Sequence, residues 1–366
     1  MMRTGRFLTA FLAMLFGMAT LAPMAEAKDL GDGFSLFGDV RYRAEQDTDS
    51  TKDKNRTRER ARLRVGAKYK INDNVTTGIR LATGASSLQS PHFNLGVADT
   101  AKNEDFGLDQ AYIQLSGGPL VGLLGKWGSP LYNPMEFVHD GDINFEGLGF
   151  GVSGDVGVKL TGLVARTMVT ERNWVGMDDD SLLTFQLIAS GGDSITWKAA
   201  AGGNLFTMKS MDPKPSHNVY HAVAEINAKE LSGLSVGGGY NSYSGDADVD
   251  SKDKSAFMVF GKANVGPVGI GLSYWDVGYA AMPLFGAAGN DNNPYSSNFT
   301  GWSAQVNLPK LFDAVSWDLV YYSQKTKRGD LSFPKDADGK STTPGYVLTG
   351  DGRTVSRIQI NFNTSF

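Results

Sequence analysis

The chain has 366 residues, with 35 lysines and arginines against 39 aspartates and glutamates, so its formal net charge is −4 at pH 7. This balance gives no overall attraction for nucleic acid, and the absence of cysteine excludes disulfides and thiolate metal sites. The 45 glycines are spread along the chain without a Pro- or Ser-rich linker, so we expect one domain built from short, similar elements.

Residues 1–27 have the pattern of a signal peptide. Arg3 and Arg6 give a basic start, residues 7–21 are apolar, and residues 25–27 (Ala-Glu-Ala) match an A-x-A cleavage site. We therefore expect this segment to be removed, which leaves a single domain over the remaining residues up to the last. A retained anchor helix is the alternative. No later apolar run approaches the roughly 18 residues of a transmembrane helix, which excludes a helical membrane protein.

Alternation of apolar and polar residues recurs along residues 28–366. A period of two is typical of a strand, because successive side chains point to opposite faces. The last segment shows it best: Ile358, Ile360 and Phe362 share one face, while Arg357 and Gln359 lie on the other. The same pattern begins near Phe34, Ala61, Phe257, Trp302 and Val315.

Short and long connectors alternate between these segments. Seven tight turns are predicted at 72–74, 117–119, 154–155, 191–193, 229–233, 266–267 and 309–314. Eight long loops are predicted near 45–56, 84–107, 127–144, 167–181, 206–217, 245–254, 276–298 and 327–351. Seven turns and eight loops join sixteen strands, with both chain ends on one rim.

These features predict an all-β fold: a transmembrane antiparallel β-barrel of about sixteen strands, with short periplasmic turns and long extracellular loops. Closure is expected because an unpaired strand edge in hydrocarbon leaves backbone N–H and C=O groups unsatisfied. An open sheet in water is the alternative. Aromatic residues at strand ends are expected to form interfacial girdles. They are Tyr42, Tyr69, Trp127, Trp197, Tyr274, Trp302 and Trp317.

A row of basic residues runs from Arg56 to Lys70, all at positions of one parity. On a strand such a row lies on one face, opposite Leu63 and Val65. If the apolar face meets lipid, the cations face the lumen; the reverse would cost about 2–4 kcal/mol for each arginine near the bilayer centre. The predicted basic pore lining is Arg41, Arg43, Arg58, Arg60, Arg62, Arg64, Lys68, Lys70, Arg80 and Lys126.

Acidic residues in or near the third long loop are candidates to oppose this row: Glu136, Asp140, Asp142 and Glu146. Cations facing carboxylates would create a transverse field at the narrowest part of a channel. The alternative is a solvated basic face with a role in assembly or in binding lipopolysaccharide.

Other candidate sites carry weaker signals. The four histidines are scattered, and His217 and His221 would lie about 13 Å apart on a strand, which is too far for one metal ion. Residues 246–257 begin like a calcium loop but have Ser251 at the sixth position and Phe257 at the twelfth. We therefore predict no catalytic site, no metal site and no cofactor, although loop acids could still bridge cations to lipopolysaccharide.

Several local motifs resemble those of bacterial outer-membrane porins, in particular the group called putative porins. They are Asn55-Arg56-x-Arg58-x-Arg60-x-Arg62-x-Arg64-x-Gly66, Leu81-Ala82-Thr83-Gly84, Asp109-Gln110-Ala111-Tyr112, Gly125-Lys126, Asn133-Pro134 and Asp140-x-Asp142-x-x-x-Glu146-Gly147. The resemblance implies a 16-stranded barrel, often trimeric, in the outer membrane. It also implies that loop 127–144 folds inward as a constriction and that Phe366 is the signal read by the barrel-assembly machinery.

Two functions follow as hypotheses. The first is a porin, not an enzyme, that lets small hydrophilic solutes or ions diffuse through a water-filled, charge-lined channel. Its expected partners are outer-membrane lipid, lipopolysaccharide and the assembly machinery, with no nucleic acid. The second is a structural barrel that sheathes or docks a partner protein. The motifs do not specify a solute.

Overall fold

The computed structural model describes residues 28–53, 55–84, 90–95, 105–152, 158–165, 181–207, 216–245, 250–282, 294, 297–327 and 352–366. The predicted signal peptide, the turn at 154–155 and most of the long loops lie outside these residues. Within the described ranges, no helix is long and apolar enough to cross a membrane.

The described part of the chain is almost entirely β-strand, as the alternation predicts. The strands are β1 (Lys28–Asp29), β2 (Phe34–Asp49), β3 (Arg56–Asn72), β4 (Val75–Thr83), β5 (Phe93–Leu95), β6 (Phe106–Gly117), β7 (Leu120–Gly128), β8 (Asn144–Val152), β9 (Val158–Ala165), β10 (Ser181–Gly191), β11 (Ile195–Thr207), β12 (Ser216–Ala228), β13 (Leu234–Gly245), β14 (Ser255–Val265), β15 (Val268–Val277), β16 (Phe299–Leu311), β17 (Val315–Thr326) and β18 (Thr354–Ser365).

Sixteen of these strands form one antiparallel ring. Each pairs with the next long strand along the chain, β9 pairs with β10, and the last strand, β18, pairs with β2. The short strands are additions, because β1 pairs only with the start of β2 and β5 pairs with β3. The predicted β-barrel class and strand number are confirmed.

Most tight turns lie where they were predicted, at 73–74, 118–119, 192–194, 229–233 and 266–267. The last one differs, because β16 continues through Pro309 to Leu311 with a register irregularity after Leu308. A proline, which has no N–H to donate, is tolerated at such an irregularity.

The first long loop is shorter than the predicted 45–56, because β2 extends to Asp49. The acidic end of this strand lies between basic strands: Glu45 faces Arg58, and Asp47 faces Arg56 on one side and Arg357 on the other. Opposite charges directly across a strand pair stabilise the pairing. The polar composition of residues 45–49 therefore belongs to a strand and not to a loop.

Large apolar side chains cover the outer face of the ring, as expected for a barrel in lipid. Examples are Ile79, Leu148, Val259 and Trp302, all exposed. Trp127, predicted at the interfacial girdle, is instead 2% exposed and belongs to an apolar cluster on the inner side of β7, β10–β12 and β14–β16. The lumen was predicted to be polar, so this inner cluster corrects the prediction.

Candidate functional site

The inner faces of β18, β2 and β3 form one charged wall. Directly opposite residues on neighbouring strands lie about 5 Å apart at Cβ, so each register position sets a row of three side chains. In order from the loop side to the turn side, the rows are Arg357–Asp47–Arg56, Gln359–Glu45–Arg58, Asn361–Arg43–Arg60, Asn363–Arg41–Arg62 and Ser365–Asp39–Arg64.

On the loop side of this wall, acids of β2 neutralise the basic row. Glu45 pairs with Arg58, and Arg60 lies 3.8 Å from the same carboxylate. Asp47 pairs with Arg56 and accepts a hydrogen bond from Arg357 Nε at 2.7 Å. Counter-ions were predicted only near the third long loop, so the role of Glu45 and Asp47 was missed. The signal was present, since both acids share the parity of Arg43 on the same strand.

On the turn side, one carboxylate serves two arginines. Asp39 Oδ1 accepts from Arg62 Nη2 at 2.7 Å, and Asp39 Oδ2 accepts from Arg64 Nε at 2.6 Å. The third and fourth rows contain two arginines and one asparagine each and no acid: Asn361–Arg43–Arg60 and Asn363–Arg41–Arg62. Cationic charge is therefore concentrated midway along the wall.

Residues 129–143, which join β7 to β8, are folded by their own side chains. A short 3-10 helix spans Pro134–Glu136. Asn133 closes the segment around it: its Oδ1 accepts from Val138 N at 2.7 Å, and its Nδ2 donates to the His139 carbonyl at 2.7 Å. Phe137 and Val138 are fully buried.

This loop runs across the inside of the ring. Tyr132 N donates to Gln186 Oε1 of β10 at 2.7 Å, and the Tyr132 hydroxyl donates to Glu225 of β12 at 2.8 Å. The rings of Phe137 and Trp275 of β15 lie 5.8 Å apart. On the other side, Asp142 Oδ1 lies 3.2 Å from Arg62 Nη1 and 3.1 Å from Arg64 Nη1. A segment that touches both walls must lie in the lumen.

His139 holds the base of the loop. Its Nδ1 donates to the Asp140 carbonyl at 2.7 Å, so its Nε2 accepts from the Ser129 hydroxyl at 2.7 Å. Full burial lowers the pKa of His139 from 6.5 to about 4, because a charged imidazolium is poorly solvated there. The ring is therefore neutral at physiological pH.

The four predicted acids have different positions. Asp142 contacts the basic wall, and Glu136 lines the open space beside it. Asp140 is buried and accepts from Asp142 N at 2.8 Å, which shapes the loop. Glu146 lies in β8 and pairs with Lys126 of β7 at 2.9 Å.

The Lys126–Glu146 pair does not join the basic wall. Both residues alternate with Trp127 and Phe145, which are buried in the inner cluster, so the pair lies on the opposite, outer side of the sheet. The prediction that Lys126 lines the pore and that Glu146 belongs to the loop acids is therefore corrected.

The remaining predicted basic residues lie nearer the turn side. Lys68 Nζ lies 5.2 Å from the centre of the Phe37 ring, and Arg80 pairs with Asp109. Lys70 pairs with Asp73 in the first turn at 2.7 Å and lowers the pKa of that carboxyl. None of the three contacts loop 129–143 among the described residues.

Two cavities lie against the basic wall. The loop-side cavity, about 330 Å³, is bounded by the wall, the loop and the inner faces of β15–β17. The turn-side cavity, about 640 Å³, extends to Phe366 and the last turn. Arg41, Arg62 and Arg64 line both cavities, so these side chains mark the junction between them.

The four histidines do not form a metal site. His217 Nε2 lies 3.0 Å from the Met282 carbonyl, while His221 Nε2 lies 3.0 Å from Gln186 Nε2. In the ranges that the structure describes, no group of three His, Asp or Glu side chains is placed to hold a metal ion.

Comparisons with known proteins agree with this architecture. Residues 39–164 match the family model described as "Putative porin". The structure is similar to OprB of Pseudomonas putida, with a TM-score of 0.58, 10% identity, and coverage of 92% of this chain and 94% of that chain. The chain has the fold of a bacterial porin.

Other porin structures agree at similarly low identity. The anion-selective porin from Comamonas acidovorans has a TM-score of 0.55 and 12% identity, over 91% of this chain and 99% of that chain. OmpT of Vibrio cholerae, in a trimer form, has a TM-score of 0.51 and 12% identity, over 91% and 99%. No match was found among curated protein sequences. The porin resemblance is confirmed by the family match over residues 39–164 and by the porin fold.

Proposed function

We propose that this barrel lets small hydrophilic solutes and ions diffuse passively across the outer membrane through a water-filled channel. Its narrowest part lies between loop 129–143 and the basic wall. The observation that carries the proposal is the contact of Asp142 with Arg62 and Arg64, because it joins a loop crossing the lumen to the opposite charged strand.

The two sides of the lumen have different roles in this proposal. The apolar cluster around Phe137 and Trp275 holds the loop against one wall and offers no polar path. Water and solutes therefore pass along the arginine side, through the two cavities. Cations facing the carboxylates of Asp142 and Glu136 produce a transverse field that favours polar solutes.

This division of the lumen argues against the structural-sheath hypothesis. A barrel that encloses a partner needs a wide interior. Here the loop and the inner cluster occupy one side, and the cavities of about 330 and 640 Å³ are too small for a folded domain. We therefore propose a channel without catalytic activity or a resident cofactor.

The expected assembly partners remain proposals. OmpT, which shares the fold, occurs in a trimer form, and we propose a homotrimer for this chain. The outer apolar face would meet lipid and lipopolysaccharide. Phe366 is the proposed assembly signal; its N–H donates to the Gly38 carbonyl at 3.0 Å, and its carbonyl accepts from Gly38 N at 2.7 Å.

Recording from planar lipid bilayers tests the channel. The purified protein should give stable stepwise conductance, and Asp142→Asn should move the reversal potential under a salt gradient toward anion selectivity, because a carboxylate is removed beside two arginines. Glu146→Gln is the matched control, since that carboxylate lies outside the lumen.

Absence of stepwise conductance would reject the channel. Equal reversal potentials for Asp142→Asn and Glu146→Gln would reject the proposed position of its narrowest part while leaving the channel itself in place.

A further inference from the structure

The turn-side cavity carries an imbalance of charge. Five cationic side chains line it against one side-chain carboxylate, that of Asp39. The cations are Arg41, Arg62, Arg64, Arg80 and Lys310.

The carboxylates near this cavity are already paired with arginines. Both oxygens of Asp39 accept hydrogen bonds from guanidinium groups. Asp142 pairs with Arg62 and Arg64 from the loop side, and Asp109 pairs with Arg80. Three of the five cations are therefore neutralised by neighbouring acids.

Arg41 and Lys310 differ from the other three. Arg41 Nε donates to the Asn363 amide oxygen at 2.5 Å, a neutral partner. Across the part of the chain that the structure describes, neither Arg41 nor Lys310 forms an ion pair with a carboxylate. Arg41 also lies within electrostatic range of Asp142 and Asp318. Without a direct ion pair, Arg41 and Lys310 carry the least compensated charge of the cavity.

The two cations come from separate strands. Arg41 lies on β2 and Lys310 on β16, with β18 and β17 between them. Three steps of about 4.8 Å place their backbones about 14 Å apart along the wall. A compact anion can pair with only one such group at a time, whereas a solute with two separated carboxylates can pair with both. A cavity of about 640 Å³ is large enough for such a solute.

We propose that the turn-side cavity is a binding site for small dicarboxylates, with Arg41 and Lys310 each binding one carboxylate. The site would hold the solute on the turn side of the narrowest part, which faces the periplasm. This inference rests on the proposed channel, because it names the class of solute that the channel selects.

Binding to the detergent-solubilised protein tests the site independently of conduction. Isothermal titration at matched ionic strength would compare succinate, acetate and inorganic phosphate. We expect succinate to bind more tightly than acetate or phosphate. Arg41→Gln and Lys310→Gln should each weaken the affinity for succinate about tenfold. Lys262→Gln is the matched control, since Lys262 lies on the inner side of β14 but lines neither cavity.

Lys310 is exposed, so its replacement tests the site even if the Arg41 variant folds poorly. Equal affinity for succinate and acetate, tighter binding of phosphate, or equal effects of Lys310→Gln and Lys262→Gln would each overturn the dicarboxylate site. Succinate binding by a protein that gives no conductance would instead reject the channel and keep the site. In bilayers, succinate should reduce the chloride current through the wild type more than through Lys310→Gln.

Discussion

Individual charged residues show both the strength and the limit of sequence reasoning here. The parity of Arg60, Arg62 and Arg64 predicted one basic face, and the structure places these residues on one wall. The same reasoning did not assign Asp39 as their counter-ion, although it lies in the neighbouring strand. Pairing across strands depends on register, which the pattern of a single strand does not specify.

At the same scale, His139 predicts an acid-sensitive loop. The packed loop keeps His139 neutral down to pH about 4, whereas the released loop binds a proton at pH 6.5 and below. The stability that His139 gives to the packed loop is thus complete above pH 6.5 and is lost as the pH falls to about 4. The full loss is about 3 kcal/mol, from a pKa difference of about 2.5 units.

Hydrogen exchange of the backbone amides of residues 129–143 measures this effect. Protection should fall between pH 6.5 and 4 in the wild type, after correction for the intrinsic pH dependence of exchange. His139→Asn retains a donor for the Asp140 carbonyl without titrating in this range, and its protection should depend less on pH. An identical pH profile for both proteins would contradict this role for His139.

Among the elements, loop 129–143 depends on the fit of one aromatic ring. Phe137 is fully buried, and a Cβ placed on Gly239 would lie 2.6 Å from its ring, so the glycine makes room for it. Phe137→Ala should cost about 3–5 kcal/mol of local packing energy, as for other large-to-small changes in a core. We expect the loop to fluctuate and single-channel currents to become noisier.

The control is Phe150→Ala, which removes the same side chain from the exposed outer face of β8. Its single-channel noise should match that of the wild type. Quiet currents from the Phe137 variant would mean that other contacts, such as those of Tyr132 with Gln186, hold the loop alone.

The elements also differ in how well the sequence predicts them. Turns such as 229–233 and 266–267 follow from local periodicity and glycine, so their predicted and observed bounds agree. The inner apolar cluster was not predicted. Met258 and Phe260 lie on the inner face of β14, where polar residues were expected, and they are buried because loop 129–143 covers them. The contact partner of that face comes from residues more than a hundred positions away.

For the whole molecule, we predict that the stability of the folded barrel depends strongly on Asp47, which lies at the seam between β2 and β18. This carboxylate is 7% exposed and binds both Arg56 and Arg357. Asp47→Asn would remove the carboxylate that accepts hydrogen bonds from the buried Arg357, and breaking a buried pair in this way typically costs about 3–5 kcal/mol. The temperature at which the folded barrel unfolds in detergent, read from gel mobility, should fall.

Asp73→Asn is the comparison for this change, because it removes an acid from an exposed ion pair in a turn. Its unfolding temperature should stay close to that of the wild type. Equal unfolding temperatures for the two variants would show that the inner charges do not stabilise the pairing of β2 with β18.

The pairing of β18 with β2 also closes the ring of strands. The Arg353–Asp49 hydrogen bond at this seam joins positions 304 residues apart. Without this pairing the sheet would have two free edges, each with backbone groups that hydrocarbon cannot satisfy. A chain interrupted anywhere before β18 would keep both edges open and could not rest stably in a bilayer. The stability of the ring in a bilayer therefore depends on the junction between β2 and β18.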